Sequence, residues 1–76
     1  MELKDFIENF AAQFDDTDAS VFTADTRFRD LEEWSSLIGL SVIAMVDEEY
    51  DVTLKGDKLR KCDTVGELFE MVKSLQ

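Results

Sequence analysis

From Leu37 to Val46 the chain runs ten residues without a charge, in a sequence where 34% of residues are charged. The run is entered through Ser35-Ser36 and left through Asp47-Glu48-Glu49-Tyr50. Its length and spacing predict a helix over about residues 36–50. At about 100° per residue, Leu40, Val42, Ile43, Val46 and Tyr50 share one broad face, which should meet a neighbouring helix. Leu37, Ser41, Ala44, Met45 and Glu48 lie round the other side, with Ile38 beside them. The helix therefore carries more apolar surface than one buried face requires. A loop could cover the excess, or exposure could be tolerated. A docking surface is the preferred reading, because partners cover such faces more often than loops do.

The rest of the chain has to complete a small core around that helix. A chain of 76 residues makes one domain, 1–76, and buries only about 60% of its unfolded surface. Such a core needs efficient helix packing, a metal or disulfides. Cys62 is the lone cysteine, which excludes a disulfide framework and reads as a small core residue in a reducing, cytoplasmic setting. The first residues, MELKDFIENF, are charged from the second position, so no signal peptide is expected. The longest apolar run, Val42 to Val46, is far short of a membrane span, so no membrane insertion is expected.

Three further segments follow a helical period. Leu3, Phe6, Ile7, Phe10, Ala11 and Phe14 form a stripe that predicts a first helix over about residues 2–14, its three phenylalanines supplying much of the core. Residues 15–35 show no period, yet Val21, Phe22, Phe28, Leu31 and Trp34 could pin them across a core, with a short helical turn near Thr26–Leu31. Asp51 to Leu54 reads as an extended link, and Asp57 to Lys61 as one short helix. Thr64-Val65-Gly66-Glu67 is a capping box, followed by a stripe of Val65, Leu68, Phe69, Val72 and Leu75 that predicts a last helix over 64–75. The expected fold is all-α, a small four-helix bundle with three main helices, a short third helix and a long first loop. The relative direction of the first two long helices stays open.

Composition removes several function classes. A net charge of −10, from 18 acidic and 8 basic residues, argues against nucleic acid and favours basic protein surfaces or simply solubility. Four of the basic residues, Lys55, Lys58, Arg60 and Lys61, lie in one short stretch. There is no histidine, so Ser-His-Asp and Cys-His nucleophile arrangements and Cys/His zinc sites are impossible. Loops starting at Asp16 or Asp47 fail the EF-hand pattern, with valine at the sixth position and a cation at the twelfth. No metal site and no catalytic residue is expected. Ser36 remains: as one of two serines at a helix start it can be a cap. It can equally be a modified hydroxyl, since an anion attached there would lie in the field of the helix dipole beside unpaired N–H groups.

Helix, long loop, serine at the start of a second helix, short third helix and last helix is a layout that resembles the acyl carrier proteins over essentially the whole chain. Ser35-Ser36-Leu37 stands where that family has Asp-Ser-Leu, and Asp47-Glu48-Glu49-Tyr50 resembles its acidic patch and closing aromatic. Phe28 and Leu31 resemble the anchors ahead of the motif, and Thr64-Val65 the start of the last helix. The resemblance implies that Ser36 carries 4'-phosphopantetheine, transferred from coenzyme A by a phosphopantetheinyl transferase. It implies a monomeric, non-enzymatic carrier that takes acyl or aminoacyl groups between activating and acyl-transferring enzymes, docking through Leu37, Ile38, Ser41, Met45 and Glu48. The route — fatty acid, polyketide, cell-envelope or aminoacyl chemistry — is left open. Three departures stand out: Ser35 replaces the usual aspartate, Ile38 replaces a common acid, and Glu33-Trp34 replaces a common glycine. They point to a dedicated transferase with a more apolar contact surface. The rival reading is an adaptor that keeps the fold, is never modified, and binds one protein through the outer face of the second helix.

Overall fold

The computed structural model describes residues 1–76. Four α-helices follow in order: α1 Leu3–Ala11, α2 Ser36–Tyr50, α3 Gly56–Arg60 and α4 Val65–Leu75. Two short 3-10 turns, Ala19–Val21 and Phe28–Asp30, punctuate the long connection between α1 and α2. No strand forms, and the fold is the small all-α bundle that the periodicities predict.

α1 is shorter than the expected 2–14. Beyond Ala11 the amides of Gln13 and Phe14 donate to the carbonyls of Phe10 and Ala11, three residues back, so the end tightens into turns. No cap closes it, and Asp15 and Asp16 follow where the dipole favours cations. The stripe still reaches Phe14: Phe6, Phe10 and Phe14 are all buried, whereas Leu3 at the open end is 36% exposed.

The cross-contacts settle the direction of α2. Near the start of α1, Phe6 lies 5.7 Å from the ring of Tyr50, and Asn9 Nδ2 donates to the Tyr50 hydroxyl at 2.9 Å. Past the end of α1, Gln13 Oε1 accepts from the Ser41 hydroxyl at 2.7 Å, and Phe14 stacks on Trp34 at 6.3 Å. The start of one helix meets the end of the other, so α1 and α2 are antiparallel. α4 packs on α1 through Phe69, whose ring meets the edge of Phe6 at 5.7 Å.

Seventeen buried apolar residues make one cluster, with Phe10 at the aromatic centre. Its ring lies 5.4 Å from Phe28 and 5.9 Å from Phe22, which draws both 3-10 segments of the connection onto α1. Each fully buried side chain of this size contributes about 1.5–3 kcal/mol, which offsets the entropy of ordering so long a loop. Val21, expected to help pin it, is 45% exposed; its carbonyl accepts from the Thr26 hydroxyl instead.

The second half of the connection is bonded to the start of α4. Phe28 N–H donates to the Asp63 carbonyl, Val65 N–H to that of Thr26, and Gly66 N–H to that of Ala24. Arg29 pairs with Asp63 above these bonds. α4 then opens on the expected capping box, Thr64 and Glu67 each accepting from the other's amide. The link Asp51–Leu54 is non-helical and sends Val52 and Leu54 inward, and Cys62 is buried as expected.

Candidate functional site

The phase of α2 differs from the sequence reading in two places. Leu40, expected in the core, is 63% exposed, and Met45, expected on the outer docking face, is 6% exposed. The buried line of the helix is Gly39, Val42, Met45 and Val46. Gly39 is the first residue of that line and packs against Trp34 and Leu59. A Cβ there would stand 3.5 Å from the Trp34 ring and 3.6 Å from a Leu59 methyl. Both are ordinary van der Waals distances, so Trp34 and Leu59 pack against this part of α2 without requiring a glycine, and the next position, Leu40, faces outward.

The two serines separate at the start of α2. Ser35 is the N-cap, with extended backbone, its hydroxyl oxygen accepting from Ile38 N–H at 3.3 Å and its carbonyl from Gly39 N–H at 2.9 Å. The amides of Ser36 and Leu37 have no protein partner. Ser36 is exposed, and its hydroxyl makes no hydrogen bond. A free hydroxyl therefore sits beside two free N–H donors at the positive end of a helix of 15 residues.

The other candidate docking residues are divided. Leu37 is 76% exposed, and Glu48 is exposed on the last turns of α2. Ile38 and Ser41 are half-buried, Ile38 against the core and Ser41 held by Gln13. Leu37, Leu40 and Ser41 border a shallow groove whose far wall is Ala12, Gln13 and Asp15 at the end of α1.

Just ahead of α2, Glu33 is a clamp. Its carboxylate accepts from the amides of Asp15 and Asp16, at 2.7 and 3.1 Å, and from the Thr17 hydroxyl at 2.7 Å. The Thr17 hydroxyl above all, with the backbone amides adding to it, holds its carboxyl below the usual range against the opposing effect of desolvation. Trp34 lies half-buried against Phe28 at 4.8 Å. The pair Glu33-Trp34 thus fixes the approach to Ser35 and Ser36 from both sides, a role the sequence reading did not assign.

Leu40 also borders a second depression, a cleft of about 590 Å³ between α2 and α3. Ser35 and Ser36 stand at its border, Leu40, Ile43 and Leu59 form apolar walls, and Arg29 and Arg60 supply the only charges. Arg60 belongs to the cation-rich stretch 55–61 noted in the sequence, to which no site was assigned, and Arg29 had no sequence signal. No group of three or more His, Cys, Asp or Glu side chains is placed to hold a metal ion. Burial, then the charge of Glu67, pushes the Cys62 thiol up, which keeps it unreactive. No helix is long and apolar enough to cross a membrane.

Comparison with known protein families, curated proteins and solved structures gives no match.

Proposed function

We propose that this chain is a discrete acyl or aminoacyl carrier protein, modified on Ser36. The observation that carries the reading is the division of labour at the head of α2. Ser35 alone takes the cap, so Ser36 keeps an exposed hydroxyl free of structural duty, next to two unpartnered N–H groups. A phosphodiester on Ser36 Oγ fits there, with the amides of Ser36 and Leu37 and the helix dipole to stabilise its charge.

Transfer of 4'-phosphopantetheine would form an Oγ–P bond while the pyrophosphate P–O bond of coenzyme A breaks and 3',5'-ADP leaves. The Oγ proton needs an acceptor. With no histidine in the chain and no side chain bonded to the Ser36 hydroxyl, that base belongs to the transferase. Once bound, the group supplies a thiol that holds cargo as a thioester; bond making and breaking belong to partner enzymes. Leu37, Leu40 and Glu48 are the exposed residues of α2 available to those partners. Leu40 takes the place that Met45 vacates by being buried.

The adaptor reading draws on the same surface, since Leu37 and Leu40 are large apolar side chains left in water one turn apart. Incubation with coenzyme A and a promiscuous phosphopantetheinyl transferase, read by intact mass, separates the two. The carrier gains the mass of one phosphopantetheine, keeps the gain as Ser35→Ala and loses it as Ser36→Ala. Absence of any gain in the folded wild-type protein refutes the carrier reading and leaves the adaptor.

A further inference from the structure

The cleft between α2 and α3 has a charge pattern opposite to that of the molecule. The chain has 18 acidic and 8 basic residues, yet two arginines and no carboxylate line the cleft. The two guanidinium groups differ in availability. Arg29 is already paired with Asp63. Arg60, at the end of α3, makes no ion pair or side-chain hydrogen bond, and its guanidinium folds back along α3, with Nη1 3.5 Å from where a Cβ on Gly56 would stand. Between these cations and Ser36 the walls are Trp34, Leu40, Ile43 and Leu59. An inorganic anion or a bare phosphate has no use for such walls. A short methylene chain with an anionic end uses both.

We infer that the cleft receives a short acyl group ending in a carboxylate, carried on the Ser36 arm, with Arg60 pairing the carboxylate and Ile43, Leu40 and Leu59 covering the methylenes. The inference rests on the carrier reading and deepens it by naming the cargo class. Gly39 is buried at the same cleft, in contact range of Trp34 and Leu59. Arg60 is exposed, so a folded protein is expected without its charge.

The test loads wild type, Arg60→Gln and Arg60→Lys from glutaryl- and pentanoyl-coenzyme A, equal in chain length and different only in the terminal carboxylate. Intact mass first verifies one acyl-phosphopantetheine per chain; thermal unfolding and methyl NMR shifts of Ile43, Leu40 and Leu59 are then compared. In wild type the glutaryl form is expected to unfold about 2–5 °C above the pentanoyl form, with the gap abolished by Arg60→Gln and partly kept by Arg60→Lys. Equal unfolding of the two wild-type forms, or a gap that survives Arg60→Gln, overturns the proposal. If Arg60→Gln instead lowers both loaded forms and the unacylated holo form equally, the guanidinium serves the phosphate of the arm, and the carboxylate assignment is wrong. Failure to load any variant shows at the mass stage and refutes the carrier reading itself, taking this inference with it.

Discussion

Replacing the two serines one at a time separates cap from attachment point by stability alone. Ser35→Ala removes the hydroxyl that accepts from Ile38 N–H and leaves that amide to water. N-cap serine to alanine typically lowers stability by about 1 kcal/mol, within a range of about 0.5–2. The bond here is 3.3 Å and solvent-accessible, which places it in the lower half, at about 0.5–1 kcal/mol. For a domain this size that is a drop of about 2–8 °C in Tm. Ser36→Ala removes a hydroxyl with no partner from the first helical position, where alanine is the better helix former; the expected change lies within about 0.5 kcal/mol, on the stabilising side. Ser35→Asp restores an acceptor at the cap and adds a negative charge at the positive helix end, so it should equal or exceed wild type. Urea denaturation with a common m-value measures all three. Ser36→Ala losing as much as Ser35→Ala would mean that both hydroxyls serve the helix, and the division of labour on which the site rests would fail.

Three further outcomes follow from the geometry. Because Glu33 is held below its ordinary value of 4.5, its contribution is full above that pH and is lost as pH falls through the lowered folded value. Glu33→Gln should therefore be less stable than wild type near neutrality and converge with it in acid, and parallel acid-unfolding curves refute the clamp. Gly66→Ala in α4 should destabilise by about 1 kcal/mol although alanine favours helices, since its Cβ would stand 3.0 Å from the Ala24 carbonyl oxygen that Gly66 N–H already binds at 2.8 Å; a rise in urea midpoint contradicts this. Ile38→Asp should speed modification by a basic fatty-acid transferase about 1.5- to 5-fold through one surface ion pair, while lowering Tm because Ile38 packs on the core; equal kinetics refute the idea that the missing acid selects a dedicated transferase.

The α1 stripe was legible because it follows one helical period, and the start of α4 because a capping box marks it; the end of α1 carries no such signal. α2 was legible as a helix and not in its phase. With apolar residues spread round it, the periodicity does not choose a buried face, and the buried line includes Gly39, which has no side chain to register as apolar. The observed phase puts Met45 in the core and Leu40 on the surface. Ser35 and an aspartate in its place are physically close, as both cap residue types offer an oxygen to the third amide of the helix. The clamp at Glu33 and the cleft with Arg29 and Arg60 depend on pairings 16 to 34 residues apart, for Glu33 with Thr17 and Arg29 with Asp63, and no local pattern announces them.

The backbone bonds that join residues 24–28 to the head of α4 also set how the molecule comes apart. Ala24, Thr26 and Phe28 share hydrogen bonds with Gly66, Val65 and Asp63, so this half of the long connection is released only when the first turn of α4 unwinds. The amide protons of Phe28, Val65 and Gly66 should then exchange with deuterium as one cooperative unit, and a protease should cut among the exposed residues 18–20 well before it cuts near Phe28. A connection nominally between the first two helices is, in its opening motions, an extension of the last one.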